Sequence, residues 1–108
     1  MNDHGSHKHE NSDGIVRYYN SYSELHRLDG PAFQDSTGYK AWYKHGYRHR
    51  TNGPAIEYCD GSKSWYLNGL LHREDGPAIK RANGNVEYWI NGIWYNSLEE
   101  GLMDQALG

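Results

Sequence analysis

Apolar and aromatic positions in this chain fall in short clusters at a fixed step. The pairs Trp42-Tyr43, Trp65-Tyr66 and Tyr88-Trp89 stand 23 residues apart, as do Phe33, Ile56 and Ile79, with Ala32, Ala55 and Ala78 one place before them. Polar positions keep the same step: His26-Arg27, His49-Arg50 and His72-Arg73, then Gly30-Pro31, Gly53-Pro54 and Gly76-Pro77. Two columns of turn glycines complete the grid, Gly38, Gly61 and Gly84, and Gly46, Gly69 and Gly92. Chance does not hold so many columns in register, so the pattern marks a repeat architecture.

The elements follow from the turn residues. Asp60-Gly61 and Asn68-Gly69 favour positive φ and predict tight two-residue hairpins. Between them, Ser62 to Leu67 has the length of one short strand. Antiparallel strands reverse direction in succession, so identical copies in equivalent environments are simplest with an even number of strands each. Leu70 to Arg81 therefore reads as one long strand, bent at Asp75-Gly76-Pro77, where proline lacks the ladder donor. Trp65 and Tyr66 point to opposite faces, as do Trp42 and Tyr43, so both faces carry an aromatic ladder. Either ladder serves as core or as a wet binding groove; Trp65, with a unit on each side, is expected to be buried. The predicted fold is all-β: a curled antiparallel meander of 23-residue hairpin repeats with a short C-terminal capping helix.

The units Trp-Tyr-x-Asn-Gly-x-x-His-Arg-x-Asp-Gly-Pro-Ala resemble MORN repeats. They are most similar to a divergent MORN variant seen in small proteins of phages and large DNA viruses, over roughly Gly14 to Asn96. The resemblance implies a curled β-repeat that acts as a binding or assembly module, sometimes proposed to contact lipid, and it brings no catalytic motif. It further implies a phage or virus accessory protein that binds and modulates or inhibits a host protein in the host cytoplasm, with counter-defence among the roles it suggests.

The ends depart from the grid. Met1 to Asp13 is polar, with His4, His7 and His9 close together, and shows no hydrophobic period. A disordered tail is expected over residues 1–13; the alternative is a metal-binding tract, since imidazole is a common metal ligand. Asp13-Gly14 opens a degenerate first copy with Tyr18-Tyr19, whose turn at Asn20 to Glu24 is one residue longer than its counterparts. Ser97 with Glu99 and Glu100 reads as a helix start, and Leu98, Leu102, Met103, Ala106 and Leu107 give that helix an apolar side. The predicted organisation is a tail at 1–13, a repeat domain at 14–96 and a helix at 97–107 that covers the last strand or offers a docking or dimer surface.

Composition refines this. A chain of 108 residues makes one small domain with a modest core, and ten Tyr and four Trp are expected to fill it. Cys59 is the one cysteine, which excludes an intramolecular disulfide and fits a reducing cytoplasm. No apolar run has the length of a membrane span, and no signal-peptide core is evident. A net charge of −3 argues against broad nucleic-acid binding.

One local anomaly stands out between Asp35 and Glu57, where no acid occurs. Lys40, Trp42, Lys44, His45, Tyr47, Arg48 and Arg50 interleave basic and aromatic groups and are the partner-binding candidates. Gly30, Pro31, Gly53, Pro54, Trp65, Tyr66, Gly69, Gly76, Pro77 and Trp89 are read as repeat scaffold. The histidine column is scaffold as well, because catalysis needs one asymmetric constellation rather than a copied one. No catalytic residue, cofactor or metal is expected. The preferred function is non-catalytic protein binding; the alternative is a nucleic-acid or nucleotide binder through residues 40–50. A homo-oligomer remains open.

Overall fold

The computed structural model describes residues 6–107 of the chain. It opens with β1 (His7–Glu10) and β2 (Val16–Tyr19). Next come β3 (Phe33–Gln34), β4 (Lys40–Ala41), β5 (Tyr43–Lys44) and β6 (Tyr47–Arg48). They are followed by β7 (Ile56–Glu57), β8 (Lys63–Ser64), β9 (Tyr66–Leu67) and β10 (Leu70–Leu71). The last strands are β11 (Ile79–Lys80), β12 (Val86–Ile90) and β13 (Ile93–Tyr95), before helix α1 (Leu98–Leu107). Nine strands of the described residues form one sheet in the order β1-β2-β3-β4-β7-β8-β11-β12-β13, every neighbour antiparallel, while β5-β6 and β9-β10 pair separately. The fold is thus mostly antiparallel β-structure with one short C-terminal helix.

Two kinds of turn alternate. His45, Asn68 and Asn91 each have φ 51°, followed by Gly46, Gly69 and Gly92 at 83°, 85° and 79°. Positive φ at both central residues is the type I′ turn that suits right-twisted strands, as expected for Asn68-Gly69. The Asp60-Gly61 expectation is corrected. Tyr58 N–H bonds Ser62 C=O at 2.9 Å, and Gly61 N–H bonds Tyr58 C=O at 3.0 Å. The result is a three-residue loop, Cys59 to Gly61, with only the glycine in the left-handed region. Asp60 accepts from Ser62 N–H at 2.8 Å, and that local bond favours the longer loop.

The strands are also shorter than expected. Ser62 to Leu67 breaks at Trp65, and Leu70 to Arg81 breaks over residues 72–78 into β10 and β11. Trp65 sits at a hinge: its N–H bonds Ala78 C=O at 2.8 Å and its C=O accepts from His72 N–H at 3.0 Å. Trp42 does the same with Ala55 and His49, at 2.7 and 3.0 Å. The intervening segment loops out of the ladder at each hinge. The hairpins then lock to one another, since Gly69 N–H bonds Arg48 C=O at 2.8 Å and Arg50 N–H bonds Tyr66 C=O at 3.2 Å.

The core holds small residues. Ala32, Ala41, Ala55 and Ala78 are fully buried, joined by Val16, Ile56, Ile90 and Tyr95 and by the polar Asn20, His26, Ser64 and His72. Trp42, Trp65 and Trp89 are half-buried, so the expectation that Trp65 and its column form the core is corrected. The Cα radius of gyration of 15.2 Å exceeds that of a compact chain of this length, about 13 Å. Extents of 45 × 33 × 17 Å describe a slab, which leaves large side chains few places to hide.

The N-terminal segment differs as well. His7–Glu10, expected within a tail, forms β1 against β2 in the register His7↔Tyr19 to Glu10↔Val16. The His9 and Tyr19 rings meet edge-on at 5.3 Å, and Asn11 Oδ1 accepts from Asp13 and Ile15 N–H groups at 2.9 and 3.0 Å to close the turn. His4 lies outside the described residues, and no group of three metal-ligating side chains occurs among those described.

At the other end Ser97 Oγ accepts from Glu100 N–H at 3.1 Å, capping α1. A Cβ on Gly101 would lie 2.8 Å from Tyr95 Cδ2 and 3.0 Å from Ile90 Cδ1. Glycine there lets the helix backbone settle onto β12 and β13. Tyr95 OH donates to Asp104 at 2.5 Å and accepts from Gln105 Nε2 at 3.0 Å. The bond to Asp104, then burial, push its phenol above the ordinary range. Leu102, Met103 and Leu107 stay exposed. No helix among the described residues is long and apolar enough to cross a membrane.

Candidate functional site

The His-Arg and Gly-Pro columns build the looped-out segments. The Arg50 guanidinium lies 3.8 Å above the Trp42 ring. Its Nε donates to Asn52 Oδ1 at 3.2 Å, and its Nη1 to Pro54 C=O at 3.0 Å and Glu57 Oε2 at 3.3 Å. Arg73 repeats the arrangement over Trp65 at 3.9 Å, donating to Asp75 at 2.8 Å and Pro77 C=O at 3.1 Å. Arg27 does so over Tyr18 at 4.0 Å, donating to Asp29 at 2.9 Å and Pro31 C=O at 3.3 Å. A Cβ on Gly30, Gly53 or Gly76 would approach the guanidinium carbon to 2.9, 3.0 or 2.8 Å. These glycines serve close approach, so that each guanidinium is held between an aromatic face and a glycine.

The histidines join each unit to the next. Nδ1 of His26, His49 and His72 accepts, at 2.9 Å each, from the N–H of His45, Asn68 and Asn91, the first residue of each type I′ turn. Such acceptance requires neutral imidazole with its proton on Nε2. His72 Nε2 donates to Glu74 at 2.9 Å. Burial, then the charge of Lys44, hold the pKa of His49 below its ordinary value.

Successive loops bound two open grooves. The first, about 570 Å³, lies between the loops that follow His26 and His49, with Trp42 in its lining. Arg27, Lys44 and Arg50 line it against one carboxylate, Asp29. The second, about 600 Å³, lies beside Trp65 and is lined by Arg50 and Arg73 against Glu74 and Asp75. Two changes of charge within the grid distinguish them: Lys44 in the first stands where Leu67 stands in the second, and Thr51 in the first stands where Glu74 stands in the second, while Asn52, in the column of Asp29 and Asp75, lines both.

Of the sequence candidates, Trp42, Lys44 and Arg50 come together in the first groove. The others lie elsewhere. Lys40 faces Gln34 and Glu57 in the main sheet. Arg48 reaches the Tyr66 ring at 5.4 Å and pairs with Tyr43 across β5-β6. His45 occupies the turn, 3.5 Å from Glu24, and Tyr47 is exposed at the hairpin, 3.0 Å from where a Gly69 Cβ would stand. Sequence reasoning missed Arg27, Asp29, Leu67 and Arg73 as groove residues. The signal was the place where the grid changes charge, at Lys44/Leu67 and at Thr51/Glu74. Outside the grooves, Tyr39 meets Phe33 and Tyr58 edge-on at 5.7 Å each, with Arg17 5.0 Å over Phe33.

No protein-family model, curated protein or solved structure matches the chain.

Proposed function

We propose that this chain is a non-catalytic module that binds another protein along its loop face. The observation that carries the reading is the pair of adjoining grooves, each with a half-exposed tryptophan beneath a fixed guanidinium. Arginine and tryptophan are the side chains most enriched where binding energy concentrates. They are rigid before any partner arrives, which lowers the ordering cost of association. A catalytic reading has less to work with: the column histidines are engaged as backbone acceptors and fixed in one tautomer.

The equal contacts made by residues 23 positions apart support reading each unit as one repeat of a curled, MORN-like meander. The resemblance to small phage and virus proteins makes a host protein the partner to test first, and the role an accessory factor that modulates or inhibits it. Exposed Cys59 fits a reducing cytoplasm.

The test compares the wild type with Lys44→Glu on an affinity resin loaded with host lysate, with bound nucleic acid followed by absorbance. The expected result is a protein retained by the wild type and lost with the variant. Retention of nucleic acid that falls steeply with salt would overturn the reading in favour of a polyanion binder.

A further inference from the structure

Resting on that reading, we infer the chemistry of the partner segment: an extended polypeptide with an acidic side chain and an apolar side chain roughly three residues apart. The acid enters the first groove and the apolar group the second.

Charge assigns the first position. Lys44, Arg27 and Arg50 line the first groove against Asp29 alone. Arg27 is already paired with Asp29 at 2.9 Å and Arg50 with Glu57 at 3.3 Å, so Lys44 carries the surplus. Arg50 has the neutral Asn52 where Arg73 has Asp75, and takes its carboxylate from Glu57, which lines neither groove. In the second groove two guanidinium groups meet two carboxylates, and Leu67 stands in place of Lys44 beside Trp65. That groove offers apolar contact and no net charge. Thr51 and Asn52 line both grooves, and their side chains can bond the backbone of the intervening residues.

Pitch sets the spacing. Each unit adds two strands to the main sheet, about 10 Å at the usual inter-strand distance. An extended chain covers that in roughly three residues, at about 3.1–3.4 Å each. The same geometry disfavours a nucleic-acid strand. Its closely and evenly spaced phosphates would cross Asp29, Glu74 and Asp75, two of which, Asp29 and Asp75, are almost fully exposed at 85% and 86%. A single acid on an otherwise uncharged segment meets the cations and avoids the carboxylates.

The experiment titrates the full chain into short fluorescent proline-rich peptides that differ only in the placement of one Glu and one Leu, and into an oligothymidine. The wild type is expected to bind one order, Glu-x-x-Leu or Leu-x-x-Glu, about tenfold more tightly than the other order or any closer spacing. The double variant Lys44→Leu with Leu67→Lys is expected to reverse the preferred order. Lys44 is exposed on β5 and Leu67 half-buried on β9; the swap keeps composition, and a thermal midpoint close to that of the wild type checks that it keeps the fold. Equal binding of all spacings, no measurable binding, or an unchanged order in the swap would overturn the inference. Loss of the lysate partner on Lys44→Glu would still stand in that case, so protein binding survives without this ligand chemistry. Tight oligothymidine binding would remove both.

Discussion

At the scale of single residues, the glycines divide into three cases that alanine can separate. Gly61 has φ 92° and nothing within 4 Å of the place a methyl would take, so alanine there meets backbone strain alone, about 1 kcal/mol. Gly69 has φ 85° and Tyr47 Cδ1 3.0 Å away, so Gly69→Ala is expected to cost more, about 2 kcal/mol or above. Gly53 has ordinary φ but Arg50 Cζ at 3.0 Å, and its alanine is expected to lift the guanidinium off Trp42 at about 1–3 kcal/mol. Urea denaturation of the three variants gives the order; a Gly61→Ala as costly as Gly69→Ala would remove the hairpin contact from the account. Trp65→Ala is expected to cost about 2 kcal/mol, less than the roughly 3–5 kcal/mol of a fully buried aromatic. His49 adds a pH dependence. Its folded pKa lies below the ordinary 6.5, because of burial and then Lys44. The unfolded chain therefore takes up the proton first as pH falls, and stability that is full above about 6.5 is lost progressively below it. The urea midpoint is expected to drop between about pH 7.5 and about pH 5, and to drop less in His49→Asn, whose Oδ1 keeps an acceptor that does not titrate. An equal drop in both would clear His49 of the effect.

At the scale of elements, sequence reading found the type I′ turns, the helix and its Ser97 cap, because each depends on residues adjacent in the chain. It joined what the structure breaks. Arg50 and Arg73 bind the carbonyls four residues ahead and pull the segments after them out of the ladder, a consequence of side-chain reach that strand propensity does not report. It also missed β1, since His7–Glu10 carries no apolar alternation and is held by Tyr19 and the Asn11 turn. The helix is the most exposed to a single change. Gly101→Ala is expected to push α1 from Tyr95 and Ile90 and to lower the thermal midpoint, with amide exchange accelerated in α1 and β13 before the rest of the sheet. Uniform acceleration across the molecule would contradict a locally docked cap.

At the scale of the whole molecule, the slab has little interior, and its largest side chains work on the surface, as half of an arginine stack or in a groove lining. The groove was partly legible: Trp42, Lys44 and Arg50 belong to the basic aromatic stretch that stood out in the sequence. Lys40 falls away from it because the hinge at Trp42 leaves β4 in the main sheet, and Tyr47 and Arg48 because the Gly46 turn carries them to the other strand of the hairpin. Arg27 and Asp29 were not legible, since only stacking of one unit on the next sets their loop beside Arg50. The four tryptophans offer the most direct test that binding occurs on the loop face. Trp42 and Trp65 line the two grooves, Trp89 donates its indole N–H to Glu87 at 2.9 Å, and Trp94 is exposed on β13. In a proton–nitrogen correlation spectrum of the labelled chain titrated with its protein partner, the indole signals of Trp42 and Trp65 are expected to shift while those of Trp89 and Trp94 stay in place. A shift of Trp94 with Trp42 and Trp65 unmoved would place the binding surface at the helix-capped end and contradict the account.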